Sequence, residues 1–195
     1  MDNWLDCPGR VMAGRRLADK IHVLPDLLAP GLRLVLIGTA ASAASASAGA
    51  YYAHPGNLFW PTLFRAGLTP RLFQPTEFPL LLDLGVGLTD IAKSATGSDA
   101  QIPDDAWDAE AVLEKIRHFR PRYVGFTSKT AAISTLGLKK AGYGPIAEDL
   151  FSDLSLTGLG ETRLFVLPSP SGRARGYWDD APWMQLARLV KEIEP

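Results

Sequence analysis

Three short apolar runs constrain the fold of this chain more than any other feature of its sequence. They span residues 33–38, 122–128 and 163–169. Each has the length and composition of a strand that is buried on both faces of a parallel sheet. A fourth run, 85–91, fits the pattern less well because its glycines lower strand propensity. The segments between these runs decide what covers the sheet.

Helical patterns occupy those segments. Asp108 is placed to cap a helix over residues 109–119, whose apolar residues fall on one face. Asn57 is placed to cap a second helix that Gly67 ends, with Pro61 in its first turn. Residues 181–194 form an amphipathic pattern, and residues 94–107 are polar and turn-rich, typical of a surface loop. Strands that alternate with helices predict an α/β sheet layered by helices.

Composition favours one ordinary globular domain and excludes several kinds of site. The chain has 195 residues, 47% hydrophobic and 21% charged. Its only cysteine, Cys7, rules out a disulfide framework or a thiolate-held metal, and His22, His54 and His118 lack the spacing of zinc ligands. No apolar run approaches the ~20 residues of a membrane span, and the first residues do not begin a signal peptide. We therefore expect a cytoplasmic protein.

Charge is distributed unevenly along the chain. Residues 1–114 contain 8 Lys and Arg against 13 Asp and Glu, whereas residues 115–195 contain 12 against 8. The C-terminal part therefore offers a modest positive face, which suits a phosphate-bearing partner.

Two loops of small residues follow the first and last predicted strands, where ligands bind in open α/β sheets. Gly-Thr-Ala-Ala-Ser (38–42) would let a ligand approach backbone amides, but taken alone it is more typical of a tight turn into an Ala/Ser-rich helix. Pro-Ser-Pro-Ser-Gly-Arg-Ala-Arg (168–175) carries hydroxyls and guanidinium groups that suit a nucleic-acid backbone, and equally a solvated basic turn.

Four blocks together resemble the mismatch-specific uracil/thymine branch of the uracil-DNA glycosylase superfamily. They lie at residues 38–42, 53–70, 85–91 and 166–175, in the family's order and with matching gaps. The resemblance implies one domain over residues 1–195, with a helical extension at 1–30 and a four-stranded, mostly parallel sheet flanked by helices. It also implies a monomer that needs no cofactor and acts on uracil-containing DNA.

The resemblance also implies roles for individual residues. Tyr52 stands where the family places an aromatic ring that stacks on uracil, although a core aromatic packing on Phe59 or Trp60 would look the same. Arg173 stands at the position that projects into the duplex. Further base contacts are expected from Gly38, Thr39, Ala40, Ser42 and Ser169, and DNA contacts from Lys129, Ser171, Gly172 and Arg175.

The catalytic position of the family is altered in this chain. Relatives carry Asp or Asn there to orient the attacking water, and this chain has Ala40. The position that is often His or Asn in the last motif is Ser169. The candidates that remain for holding water are His54 and Asn57, with Ser42 and Ser45 behind them. The position of Asn57 favours a helix cap for its side chain, and His54 before Pro55 also fits a turn cap.

Three functions follow from these features. The first is a uracil-DNA glycosylase that hydrolyses the N-glycosidic bond with an unusual arrangement for its water. The second is a catalytically silent protein that binds uracil or abasic DNA. The third, an α/β enzyme acting on a free nucleoside or phosphate ester, is disfavoured because a small ligand needs no arginine-tipped loop.

Overall fold

The computed structural model describes residues 22–147, 158–172, 176 and 178–193. A five-stranded sheet with the order β2-β1-β3-β5-β4 forms its centre. Its strands are β1 (Leu34–Gly38), β2 (Val86–Asp90), β3 (Tyr123–Phe126), β4 (Gly144–Pro145) and β5 (Arg163–Val166). All neighbouring strands are parallel except β4, which pairs antiparallel with β5.

The predicted fold class is confirmed, but the sheet has five strands rather than four. The four predicted apolar runs are β1, β2, β3 and β5. The additional strand, β4, consists of one glycine and one proline. Such a pair has low strand propensity and forms no apolar run, so the sequence pattern does not reveal it.

Five α-helices are described, and they surround the sheet. They are α1 (Ala43–Ala48), α2 (Phe59–Arg65), α3 (Ala109–Phe119), α4 (Lys129–Leu136) and α5 (Ala181–Lys191). Residues Pro75–Leu84, Asp99–Gln101 and Asp104–Ala106 form 3₁₀ turns. None of the helices in the described ranges is both long enough and apolar enough to cross a membrane.

Local sequence explains where two of the predicted helices begin. The side chain of Asp108 accepts a hydrogen bond from the Ala111 amide at 3.0 Å, so α3 begins as predicted. At α2 the N-cap residue is Leu58. Asn57 lies one residue earlier, and its side-chain oxygen accepts a bond from the Phe59 amide at 2.9 Å. The Asn57 carboxamide therefore closes the turn that leads into the helix.

Alternating side chains of β1 divide the interior into two cores. Leu34 and Leu36 face a core that includes residues of α2 and α5. Val35 and Ile37 face the opposite core, which includes residues of α3 and α4. Because successive residues of a strand point to opposite faces, this arrangement gives three layers, helix on sheet on helix.

The described part of the N-terminal region lies on β2. The Leu27 and Leu88 backbones exchange two hydrogen bonds of 2.9 Å, and the Val23 amide donates to the Lys93 carbonyl at 2.8 Å. Residues 22–30 contain no helix. This corrects the expected helical extension for that part, and residues 1–21 lie outside the described ranges.

The segment 94–107, predicted as a surface loop, is only partly one. Most of its residues are polar and solvent-accessible, but Ile102 and Ala106 are buried and form a small core with Ala92. This core fixes the segment against the end of β2. The loop is therefore held in place next to the carboxyl edge of the sheet.

Gly87 permits the close contact between β2 and the N-terminal segment. A Cβ at this position would lie 2.7 Å from the Leu27 carbonyl oxygen, which belongs to backbone and cannot move aside cheaply. We predict that Gly87→Ala lowers the free energy of unfolding by about 1–3 kcal/mol, the usual cost of overpacking. Urea denaturation measures the change.

Gly142→Ala provides the control for that substitution, because a Cβ at Gly142 meets no atom within 4 Å. It should leave the urea midpoint nearly unchanged. A similar loss of stability in both variants would show that a general glycine effect, rather than the Leu27 contact, is responsible.

Candidate active site

A cavity of about 630 Å³ opens at the carboxyl ends of β1, β2 and β3. In a parallel sheet this edge gathers the loops that leave neighbouring strands. The lining comes from several such loops, and its residues are 38–42, 97–100, 127–130 and 169–171, together with Leu24, Ser45, Tyr51, Tyr52, Asn57, Asp90 and Tyr143.

Most of the predicted site residues meet in this cavity. The residues that line it are Gly38, Thr39, Ala40, Ser42, Tyr52, Asn57, Lys129, Ser169 and Ser171. His54 and Gly172 are described but do not line it. Arg173 and Arg175 lie outside the described residues, so their predicted DNA contacts stay predictions.

The two predicted motif loops contact each other at one side of the cavity. The Leu58 amide donates a 2.8 Å hydrogen bond to the Pro170 carbonyl. A Cβ on Gly172 would come within 3.2 Å of the Gly56 carbonyl oxygen, so the backbones approach closely at this point. The block at 53–70 and the loop after β5 therefore form one continuous wall.

Tyr52 combines the two interpretations that its sequence position allows. One face of its ring stacks on Phe59, with ring centroids 3.8 Å apart and planes inclined by 12°. Tyr52 is also one of the residues that line the cavity. Its hydroxyl lies 3.2 Å from the Thr127 hydroxyl at the end of β3. Burial raises the pKa of Tyr52, and the negative charge of Asp90 raises it further.

The backbone of Tyr52 is held in an unusual conformation. Its φ angle is 52°, in the left-handed region that non-glycine residues seldom adopt. The stacking on Phe59 and the contact with Thr127 compensate for this conformation. Strain of this kind concentrates at functional sites, which agrees with a ring that is aimed at the cavity.

The serines of the Ala/Ser-rich stretch form hydrogen bonds within the loop. Ser42 caps α1 and accepts a 3.1 Å bond from the Ser45 amide. The hydroxyl of Ser45 accepts a 3.2 Å bond from the Ala53 amide. These contacts fold residues 43–53 into a short helix and turn that present Tyr52 to the cavity.

The two candidates for holding water are placed differently. His54 is exposed, and its Nδ1 accepts a 3.0 Å bond from the Gly56 amide, so the imidazole stabilises a surface turn outside the cavity lining. Its role in holding water stays a prediction that the cavity lining does not support. Asn57 does line the cavity, but its side-chain oxygen is occupied by the Phe59 amide. That oxygen has a second lone pair, and the amide nitrogen also has hydrogens to donate, so both atoms can contact a ligand or water.

Asp90, which the sequence reasoning missed, lies at the floor of the cavity. It is the last residue of β2, and only 4% of its surface is exposed. Gly38, its register partner on β1, has room for no side chain because a Cβ there would overlap the Asp90 carboxylate. That Cβ would also come within 3.2 Å of the Tyr52 hydroxyl oxygen. The first glycine of the motif therefore makes space for a buried acid.

The cations near Asp90 form ion pairs with a different carboxylate, that of Asp26. Asp26 forms ion pairs with Lys93 at 3.0 Å and with Lys115 at 2.7 Å. Lys93 also donates to the Tyr51 hydroxyl at 2.9 Å. Burial therefore dominates and raises the pKa of Asp90 to about 6. The charges of Lys93 and Lys115 lower this pKa in part, and Asp26 opposes them.

A second acid lies at the rim of the cavity. Asp99 is exposed, and its Oδ1 accepts a 2.8 Å hydrogen bond from the Thr39 hydroxyl. Lys129 and Tyr143 also lie on the exposed side of the cavity, with the ammonium 4.2 Å from the ring centroid. The cavity therefore has a buried floor with one acid and a solvent-facing rim with a second acid and a cation.

The described ranges contain no group of three or more His, Cys, Asp or Glu side chains placed to hold a metal ion.

Comparisons with known proteins agree with the fold. The model of the uracil DNA glycosylase superfamily matches residues 25–190. The solution NMR structure of a candidate uracil DNA glycosylase from Methanosarcina acetivorans is similar to this chain, with a TM-score of 0.59 at 23% sequence identity. The alignment covers 87% of this chain and 97% of that one. At this identity the likeness concerns the fold.

The raised pKa of Asp90 predicts a pH-dependent cost to stability. The folded state binds the carboxyl proton more tightly than the unfolded chain, whose value is 3.8, so stability falls as pH rises from about 4 to beyond 6. Asp90→Asn removes this cost. We predict that its free energy of unfolding, relative to wild type, improves by about 1–3 kcal/mol between pH 4 and pH 8.

Asp26→Asn is the matched control for that measurement. Burial raises the pKa of Asp26, but the hydrogen bond from Lys115 and the charge of Lys93 outweigh burial and lower it overall. Its ionised form is therefore stabilising, and this variant should lose stability relative to wild type as pH rises. The same pH dependence in both variants would contradict the assignment of opposite environments.

Proposed function

Because the chain belongs to the uracil DNA glycosylase superfamily, we propose that it removes uracil from DNA by hydrolysing the N-glycosidic bond, which leaves an abasic site. The single observation that carries this proposal is the cavity, whose wall presents the Tyr52 ring and whose floor presents the buried Asp90 carboxyl group. An aromatic face and a buried polar group together suit a flat base that has been turned out of the helix.

The depth of the cavity sets how a nucleotide would enter. The floor at Gly38 and Asp90 is buried, whereas Asp99, Lys129 and Tyr143 at the rim are exposed. The base therefore points inward and stacks on Tyr52, and the sugar and phosphates stay at the rim. The lack of bulky side chains over residues 38–41 lets backbone amides approach the base's carbonyl oxygens.

Asp90 suits the imide edge of uracil in its protonated form. A neutral carboxylic acid accepts a bond from the N3–H through one oxygen and donates to a neighbouring carbonyl through the other. Burial already raises the pKa of Asp90 to about 6, and a bound base would expel water and raise it further. At a pKa of about 6, keeping the carboxyl group protonated at pH 7 costs about 1.4 kcal/mol, the equivalent of one pKa unit, and any further rise of the pKa lowers that cost.

The same proton assists the departure of the base. As the bond between the sugar and N1 breaks, negative charge accumulates on the carbonyl oxygens of uracil. A donor aimed at such an oxygen stabilises that charge, whereas an ionised carboxylate would repel it. A neutral Asp90 thus favours the transition state as well as the bound base, which is the requirement for catalysis.

The rim supplies the contacts that we propose for DNA. Lys129 lies at the rim of the cavity, and Ser171, a residue of the last motif loop, also lines the cavity. From the sequence pattern, Arg173 would fill the gap left by the flipped nucleotide, and Arg175 would contact a phosphate. We propose that the chain acts as a monomer of the mismatch-specific uracil/thymine branch, by chemistry that uses no cofactor.

One observation favours a second candidate function, a protein that binds uracil-containing DNA without cleaving it. The cavity is lined by Ala40 at the position where relatives place the group that orients water. A site that lacks this group would still bind the base through Tyr52 and Asp90.

Incubation of the pure protein with a uracil-containing oligonucleotide distinguishes the two functions. We predict alkali-labile abasic sites in single-stranded, U:A and U:G substrates, and unchanged activity in a chelator. A matched oligonucleotide with thymine in a T:A pair is the control. Tight binding of the uracil strand with no abasic sites would support the silent binder and contradict excision.

Two substitutions at Tyr52 separate the contribution of the ring face to kcat/KM from that of the hydroxyl. Tyr52→Ala removes the stacking surface, worth ~1–3 kcal/mol per base, and should lower kcat/KM accordingly. Tyr52→Phe loses only the contact with Thr127, about 0.5–1.5 kcal/mol, and should cost less. Thermal melting establishes that both variants are folded. An equal loss in the two variants would assign the role to the hydroxyl instead.

A further inference from the structure

The proposed hydrolysis requires a group that activates water, and the usual position for it is Ala40. Asp90 does not supply it, because that carboxyl group lies on the buried floor where the base would sit. His54 lies outside the cavity lining, and Asn57 lines it but carries a carboxamide, which is not basic enough to take a proton from water. Among the described lining residues, the carboxylates are those of Asp90 and Asp99.

The carboxylate of Asp99 reaches the rim beside the first motif from a different element. Its Oδ1 lies 2.8 Å from the hydroxyl oxygen of Thr39, the residue that precedes Ala40. Asp99 and Ala40 both line the cavity. Asp99 is 59 positions away from Ala40 in the chain, so only the fold brings an acid to this place.

Several backbone contacts hold the Asp99 loop against the first motif. The Ala92 amide donates to the Thr39 carbonyl at 2.8 Å, and the Gly97 amide donates to the Ala41 carbonyl at 3.1 Å. Ala41 also forms a parallel bridge with Thr96. Residues on both sides of Ala40 are thus tied to this loop, which fixes the carboxylate relative to the motif.

The turn that carries Asp99 is fixed by its own sequence. Ser98 and Gln101 form a capping box, in which the Gln101 side chain accepts a 3.0 Å bond from the Ser98 amide. Asp99 begins the short 3₁₀ turn that follows. One of its carboxylate oxygens is directed to Thr39, which leaves the other oxygen available at the solvent-facing side of the cavity.

We propose that Asp99 is the catalytic residue that orients and deprotonates the attacking water, in place of the acid that is absent at Ala40. The inference rests on the proposed excision of uracil. It differs from the usual family arrangement in that the acid comes from the loop after β2 rather than from the first motif.

The step balances as a simple hydrolysis. A water oxygen forms a bond to C1′ of the deoxyribose while the bond from C1′ to N1 of uracil breaks, and its electron pair leaves with N1. The carboxylate of Asp99 takes one proton from the water and later releases it to solvent or to the departing base. The negative carboxylate also stabilises the positive charge that develops on the sugar in the transition state.

If Asp99 had only a structural role, its carboxylate would hold its loop to the first motif through the hydrogen bond from Thr39. We call this structural role a latch. Thr39→Val breaks the same hydrogen bond and keeps the carboxylate, whereas Asp99→Asn keeps a side chain of the same shape and removes the base. The side-chain oxygen of Asn can still accept the bond from Thr39. A latch therefore predicts the larger loss in Thr39→Val, and a catalytic carboxylate predicts a much larger loss in Asp99→Asn.

Single-turnover excision and binding are measured for wild type, Asp99→Asn, Thr39→Val and Asp104→Asn. Asp104 is the matched control, because it is an exposed acid on the same segment and does not line the cavity. Binding is measured with DNA that carries 2′-fluoro-2′-deoxyuridine, whose glycosidic bond resists cleavage. Asp99→Asn should lower the rate by ~10²–10⁴, with affinity unchanged, and Asp104→Asn should match wild type.

A further variant moves the acid from position 99 to position 40, where relatives carry it, and tests the proposal most sharply. In the double variant Ala40→Asp, Asp99→Asn, we expect most of the lost rate to return, since the carboxylate again faces the same rim. Excision by Asp99→Asn at the wild-type rate would overturn the proposal while the proposed function stands. A loss in Asp99→Asn no larger than the loss in Thr39→Val, without rescue by Ala40→Asp, would overturn it in favour of a latch. Absence of excision by wild type would instead overturn the proposed function, and this inference with it.

Discussion

The burial of the Asp90 carboxyl group at the junction of β1 and β2 is the constraint on which the rest of the site depends. Such a group costs free energy unless it is paired or protonated. Here the nearest cations are bound to Asp26, so the carboxyl is left to the cavity. Gly38 provides the space, since any side chain at that position would overlap the carboxylate. Burial, charge placement and backbone geometry thus all serve one polar group.

The loops around this acid follow from the same requirement for close approach. The small residues of 38–42 keep the mouth of β1 open, and the short helix α1 turns the chain so that Tyr52 returns over the cavity. The left-handed backbone of Tyr52 is tolerated because Phe59 and Thr127 hold its ring and its hydroxyl. This explains why a nearly featureless Ala/Ser stretch ends abruptly at aromatic residues.

The sequence predicts the sheet well because buried parallel strands are continuous apolar runs. Four strands were identified in this way, and β4 was missed because Gly144 and Pro145 form no such run. Helix α3 was placed correctly from Asp108, whose capping bond is local. Periodicity and caps describe contacts within a few residues, and those contacts were recovered.

The site was predicted less completely because its chemistry depends on contacts between distant residues. Tyr52 was found from its motif. Asp90 belongs to the block at 85–91, but only the register of β2 against β1 shows that it meets Gly38. Asp99 lies in a polar loop whose side chains look solvated until the bond from Thr39 is seen. His54 lies on the surface, where its imidazole accepts a local hydrogen bond from the Gly56 amide that the motif alone does not reveal.

Titration of the Asp90 carboxyl group by carbon-13 NMR tests most directly whether Asp90 binds the imide edge of uracil as a neutral acid. Asp90→Asn identifies the carboxyl signal. In the free protein the midpoint should lie at about 6, and saturation with free uracil should raise it further, because the bound form carries the proton. A midpoint near the ordinary aspartate value, or one that uracil leaves unchanged or lowers, would contradict the account.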